Sequence, residues 1–150
     1  MLLRRDRAFI AITVMLDVAF HASRTRATSA ADIATRLGLA RRGMEPLLQI
    51  LSRRGLLESV RGPRGGYRLG RVPRSLRLDE IVAAVVSDDE EPGLEHPTGA
   101  VLTEVVLPLW AEIERAATAE LAAMTLDDLL KRAAAAGITR PEEEPVDFVI

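Results

Sequence analysis

The sequence predicts a mainly α protein carrying one small β-hairpin. Residues 5–22 are apolar on nearly every side of a helix, through Phe9, Ile10, Ile12, Val14, Met15, Leu16, Val18 and Phe20. Two shorter helical stretches then meet across "LGLA", and residues 61–69 read "RGPRGGYRL". Glycine and proline crowded between alternating apolar and polar flanks mark a tight reversal between two strands.

An all-round apolar helix belongs in the centre of a fold. The same stretch superficially resembles a signal peptide, but Asp6 and Asp17 bracket it and the unbroken run from Ala8 to Leu16 is too short to span a bilayer. A buried helix in a cytoplasmic protein is the expectation. In "TSAADIATRLG", Ser29 suits the N-cap with Asp32 three residues on, and Gly38 suits the stop. In "LARRGMEPLLQILSRRG", Met44, Leu47, Leu48 and Leu51 share one face, and Arg42, Glu45, Gln49 and Arg53 share the other. Pro46 is tolerated in a first turn but not deep in a helix, so this helix should begin near Arg42 or be distorted there. The hairpin spans 57–70, with Gly65-Gly66 free to adopt positive φ and with Arg61 and Arg64 on its tip.

"SLRLDEIVAAVV" is a fourth helix, and 87–99 is an acidic loop with two prolines and two glycines. From 100 to 124 a long helix places Leu102, Val106, Leu109, Ile113, Ala117, Leu121 and Met124 at helical spacing, with Pro108 kinking it or marking its true start. Thr125 caps a last helix, "LDDLLKRAAAA", which Gly137 ends, and 138–150 reads as an acidic tail that is mobile unless its apolar end docks.

Three helices, the last two across a short turn, with a hairpin directly after them make a winged helix-turn-helix, and the apolar stripe of the long C-terminal helix, in an otherwise acidic half, marks a dimerisation helix. The boundaries are 1–86 for the DNA-binding domain, 87–99 for the acidic loop, 100–137 for the dimerisation helices and 138–150 for the tail. Charge supports this division. The chain's net charge of −2 hides sixteen arginines against five acids in residues 1–77, a net of +11, and a net of −13 in 78–150. A basic half of that size points to a polyanion. The absence of cysteine excludes disulfides and thiolate metal sites.

The stretch "ADIATRLGLARRGMEPLLQILSRRGLLESVRGPRGGYRLG" resembles the core of the IscR/NsrR/CymR (Rrf-two) family of bacterial transcriptional regulators, most specifically in "SVRGPRGGYRL". "MLDVAFHA" and "LWAEIERAATAELAAMTLDDL" also match, so the resemblance covers about 1–86 and 105–130. It implies a homodimer on a pseudo-palindromic site of double-stranded DNA, with the third helix in the major groove and the wing at the minor groove. The long helix would cross to the other subunit. It also implies that a glutamate at the position of Glu45 reads bases, whereas Gly43 stands where relatives often carry a larger side chain. The family's best-known members hold an iron–sulfur cluster on cysteines of the loop matching 87–104. A cysteine-free chain cannot hold one that way, so no cofactor is expected and the effector, an unidentified small molecule, is not carried over.

The candidate DNA contacts are Arg41, Arg42, Glu45 and Gln49 on the third helix and Arg61, Gly62 and Arg64 on the wing. Each could instead be an ordinary solvated charge. The arginine excess and the helix-turn-helix setting favour contact. An acid facing DNA repels phosphate, and its benefit is accepting a hydrogen bond from cytosine N4. The candidate dimerisation residues are Leu102, Val106, Leu109, Trp110, Ile113 and Leu121, with Trp110 packing at the subunit interface or on the wing domain. His21 reads as structural. His96 among Glu90, Glu91 and Glu95 reads as part of a solvated charge run rather than as a metal site. No nucleophile–base constellation supports an enzyme. The expected function is a sequence-specific transcriptional regulator, a repressor without a cluster, with no membrane partner. The alternative is a winged-helix module that binds protein.

Overall fold

The computed structural model describes residues 5–86 and 97–141. The core of the acidic loop, with His96 and its neighbouring glutamates, and the end of the tail lie outside the described residues. The elements run α1 (Arg5–His21), α2 (Ala30–Leu37), α3 (Arg41–Arg53), β1 (Leu57–Val60), β2 (Gly66–Leu69), α4 (Leu78–Val85), α5 (Leu107–Ala122) and α6 (Leu126–Ala135).

Helix α1 occupies the centre, as its apolar circumference requires. Ala11, Val14, Met15, Val18 and Ala19 are buried in one cluster with Ile33 of α2, Met44, Leu48 and Leu51 of α3, and Ile81 and Val85 of α4. Burying side chains of this size contributes roughly 1.5–3 kcal/mol each. The expected all-round burial is not met: Phe9 stands exposed near the helix start, and Ile10, Ile12, Leu16 and Phe20 are half-buried.

Helix α2 is bounded as its sequence dictates. The Ser29 hydroxyl accepts from the Asp32 N–H at 3.1 Å, and Gly38 closes the helix in the left-handed conformation. Helix α3 starts at Arg41, one residue before the expected start, and continues through Pro46. Pro46 has no N–H to give the Arg42 carbonyl, but both residues face solvent, where water can serve that oxygen.

The hairpin is antiparallel, with Leu57 opposite Leu69, Glu58 opposite Arg68, Ser59 opposite Tyr67 and Val60 opposite Gly66. The expected positive φ at Gly65-Gly66 is found at Gly66 and at Gly62, not at Gly65. Gly65 is needed for a different reason: a Cβ there would sit 2.5 Å from the Val60 carbonyl oxygen. Gly66 lies against the Thr28 backbone, because the segment before α2 adds a third extended piece to the sheet. The Thr28 N–H donates to the Tyr67 carbonyl at 2.9 Å, and the Tyr67 N–H donates back at 2.8 Å.

Helix α4 is shorter than "SLRLDEIVAAVV" suggests. Residues Pro73–Ser75 form a 3₁₀ turn and Arg77 is extended. The cause is a pairing with the α5–α6 junction: the Leu78 N–H donates to the Met124 carbonyl at 3.0 Å, and the Leu126 N–H to the Leu76 carbonyl at 2.8 Å. Pro108 proves to be both irregularity and start. A wide π-helical turn spans Leu102–Val106, and α5 proper begins at Leu107 with Pro108 in its first turn. Thr125 and Asp128 form a reciprocal capping box at α6. The hydrogen bonds from the Thr125 N–H and hydroxyl hold the Asp128 carboxyl below the usual range.

Candidate nucleic-acid interface

Residues Met44, Leu48 and Leu51 bury one side of α3 and leave Arg41, Arg42, Gly43, Glu45 and Gln49 exposed on the other. The start of this helix breaks the usual rules of helix ends. Its N-cap is Ala40, no side chain caps it, and its first turn holds two arginines and no acid. Cations at a helix N-terminus oppose the macrodipole, and an uncapped first turn leaves backbone N–H groups open. An end built against its own stability suits an anion arriving from outside.

Within this group, Arg41 Nε donates to Glu45 Oε1 at 3.2 Å. Both side chains are largely solvent-exposed. An exposed i,i+4 pair is worth about 0–1 kcal/mol, so either partner can be reassigned to a ligand at small cost. Arg42 has no acidic partner among the described residues, and Gln49 lies two turns further along the helix.

The wing tip presents Arg61, Gly62, Pro63 and Arg64, all exposed. A turn closes it through the Gly65 N–H to the Gly62 carbonyl at 2.9 Å. Neither Arg61 nor Arg64 has an acidic partner among the described residues. The other hairpin arginine is used differently. Arg68 donates to both carboxylate oxygens of Glu58, at 2.9 and 3.1 Å, and to the Arg24 carbonyl at 2.6 Å. The hydrogen bonds from Arg68, and then its charge, hold the Glu58 carboxyl below the usual range. Arg68 is thus a strut joining the wing to the segment before α2. Among the described residues, no hydrogen bond or ion pair links the α3 group to the wing tip.

A network unseen in the sequence ties α2 to α1. Buried Asp17 accepts from Arg36 Nε at 2.9 and 3.2 Å and from Arg36 Nη2 at 2.7 Å. The same Nη2 donates to the Thr28 hydroxyl at 2.7 Å. His21 closes α1 beside this network, with Nδ1 at 2.9 Å from the Asp17 carbonyl oxygen, in keeping with a structural role. Arg24 and Arg26, in "SRTRA" directly before α2, are two further exposed cations. Their position ahead of the helix cap was a legible signal that the arginine count alone did not isolate.

On the π-helical turn and α5 the candidate interface residues divide. Leu109, Trp110, Ile113 and Val106 are exposed, Leu102 is half-buried, and Leu121 is partly buried against the protomer's own core. Val101, Val105 and Leu107 extend the exposed apolar surface. None of the residues of α5 is fully buried in the single chain.

A three-helix unit with an exposed basic helix start and an arginine-tipped wing defines a winged helix-turn-helix transcriptional regulator. Residues 5–132 match the Rrf2 family, described as iron-dependent transcriptional regulators, and the chain belongs to that family. It is 34% identical over 123 residues to the HTH-type transcriptional regulator IscR of Xenorhabdus nematophila, covering 81% of this chain and 74% of that one. It is likewise 34% identical over 122 residues to IscR of Klebsiella pneumoniae, covering 80% and 74%. Among solved structures, T. potens IscR superposes with a TM-score of 0.69 at 29% identity, over 90% of both chains. CymR, the global cysteine regulator of B. subtilis, superposes at 0.64 and 27% identity, over 84% of this chain and 94% of that one.

The residues of this chain do not fit an iron–sulfur cluster held by cysteine thiolates. A thiolate-held cluster needs cysteines, and the sequence has none. Among the described residues no group of three or more His, Asp or Glu side chains could hold a metal ion. Also among the described residues, no helix is long and apolar enough to cross a membrane.

Proposed function

We propose that the protein is a homodimeric repressor that binds a pseudo-palindromic operator without an iron–sulfur cluster. Residues 1–86 bind DNA and 100–137 join the two subunits. The uncapped, acid-free first turn of α3, with Arg41 and Arg42 on its exposed side, carries the reading. It would enter the major groove while Arg61 and Arg64 reach the flanking backbone or minor groove. The exposed apolar surface of α5 supports the dimer, since surfaces of this kind on a small chain mark an interface. A two-fold axis would set two recognition helices about 34 Å apart, one DNA turn.

Genomic fragments recovered on the protein should share an inverted repeat with that spacing. Leu109, 54% exposed, can be changed without disturbing the protomer's core. Leu109→Asp should give a folded monomer by sedimentation that protects no paired half-sites. A variant that stays dimeric with its footprint intact would move the interface elsewhere.

Sequence discrimination should concentrate at Glu45. Its carboxylate, held by Arg41 in the free chain, can turn to a cytosine amino group at little cost because that pair is exposed. Glu45→Ala should lose about 1–3 kcal/mol of discrimination at one or two base pairs. Non-cognate affinity should hold or rise, because a negative charge is gone and Arg41 is released to phosphate. A uniform loss on every sequence, with preferences intact, would assign Glu45 to the fold instead.

A further inference from the structure

A cleft of about 180 Å³ opens where the end of α1, the segment before α2 and the chain beyond α6 meet. Its wall brings together His21, Arg26, Asp32, Arg36 and Arg140. Two of these are already engaged. Asp17 balances Arg36 at 2.7 Å, and His21 Nδ1 lies 2.9 Å from the Asp17 carbonyl oxygen. The side chains of Arg26, Asp32 and Arg140 have no hydrogen-bond or ion-pair partner among the described residues. Two free cations and one free carboxylate thus share one cleft without pairing with each other.

That arrangement selects its ligand. Opposite charges left apart across a small space complement a molecule that carries both signs, with an anionic group for the arginines and a cationic group for the aspartate. The planar guanidinium matches a carboxylate in particular. Asp32 repels a simple dianion such as phosphate, which has nothing to offer it. Phe20, Ala27 and Pro141 supply an apolar side, against which a short aliphatic group leaves water. A cavity of about 150 Å³ holds benzene, so one of about 180 Å³ admits a molecule the size of alanine or serine.

We infer that this cleft binds a small α-amino acid, its carboxylate on Arg26 and Arg140 and its ammonium group on Asp32. None of the described lining residues belongs to α3 or to the wing tip, so ligand and duplex can be held at once. Occupancy bears on the wing through Arg36, whose Nη2 donates to the Thr28 hydroxyl at 2.7 Å, while the Thr28 backbone pairs with Tyr67. The amino acid is therefore an effector of DNA binding. That role rests on the DNA-binding reading proposed above; the binding site itself does not.

Alanine and propionate differ only in the ammonium group, so titrating each into the full-length chain separates the two charges. Followed by amide and arginine Nε–H NMR, alanine and serine should shift residues 20–36 and 140, with a Kd of about 1 mM or tighter. Propionate should bind about fivefold more weakly, because one part-exposed ion pair is missing. Asp32→Asn should bring alanine to the level of propionate. R26Q/R140Q should lose both ligands and keep its melting temperature, since both arginines are exposed. In a gel-shift, saturating alanine should change the affinity for a recovered operator about fivefold or more. The amino-acid site is overturned if neither alanine nor serine shifts those residues up to about 10 mM, a concentration well above the expected Kd. Equal affinity for alanine and propionate, tighter binding of inorganic phosphate, or unchanged binding in R26Q/R140Q would overturn it too. Saturation without any change in DNA affinity would overturn the effector role. If the protein binds no DNA with or without ligand, the DNA-binding reading fails, while the NMR titration still decides the site.

Discussion

Replacing Arg61 and Arg64 together by alanine should weaken duplex binding about sixtyfold at 0.1 M salt and hardly at all near 1 M. Each phosphate neutralised contributes a slope of about −0.9 in log affinity against log salt, so losing two contacts should reduce the slope by about 1.8. The protein should remain folded, because both side chains are exposed at the hairpin tip and hold no acidic partner among the described residues. The turn beneath them is closed by backbone, through the Gly65 N–H and the Gly62 carbonyl. A salt titration of a gel-shift measures the slope, and a circular-dichroism melt checks the fold. Unaltered affinity and slope would remove the wing from the interface. A lowered melting temperature would assign the arginines to the hairpin's own stability.

Asp17→Ala should produce the largest loss of stability. The carboxylate is 6% exposed as a residue and accepts three hydrogen bonds from Arg36. Removing it leaves a guanidinium in a polar gap beside Thr28. Breaking a buried pair costs 3–5 kcal/mol, and the Arg36 side chain is 29% exposed, so the lower end, about 3 kcal/mol, applies. For a chain of this length that corresponds to a fall of about 6–12 °C in melting temperature. Asp17→Leu combined with Arg36→Leu should recover much of the loss, because an apolar pair leaves no unmatched charge. DNA binding should fall in the single variant even below its melting temperature, since Arg36 also holds Thr28, whose backbone pairs with the wing at Tyr67. An unchanged melting temperature in Asp17→Ala would show the pair to be solvated and dispensable.

Much of this was legible from the chain alone. Helix α2 could be bounded to the residue because its cap, Ser29, and its stop, Gly38, act on backbone groups within four positions of themselves. The buried face of α3 followed from its apolar spacing, and the hairpin from glycine and proline between alternating flanks. The exposed arginines of α3 and the wing followed from the same patterns, since a side chain opposite a buried stripe has only solvent to face.

Other features were decided in three dimensions. The close approach at Gly66, where φ is positive, comes from Thr28, which joins the sheet from a distant part of the chain. The start of α4 was set by the α5–α6 junction, whose backbone pairs with Leu76 and Leu78. Asp17 looked like the polar end of an apolar run until Arg36, nineteen positions away, was found bonded to it. Arg140 came to share one cleft with Arg26 and another with Arg24 only because the chain beyond α6 lies beside them. Caps, turns and helical faces are settled by interactions within about one helical turn, where sequence spacing is spatial distance. Ion pairs and clefts between distant segments depend on how the elements pack, and spacing along the chain carries no measure of that.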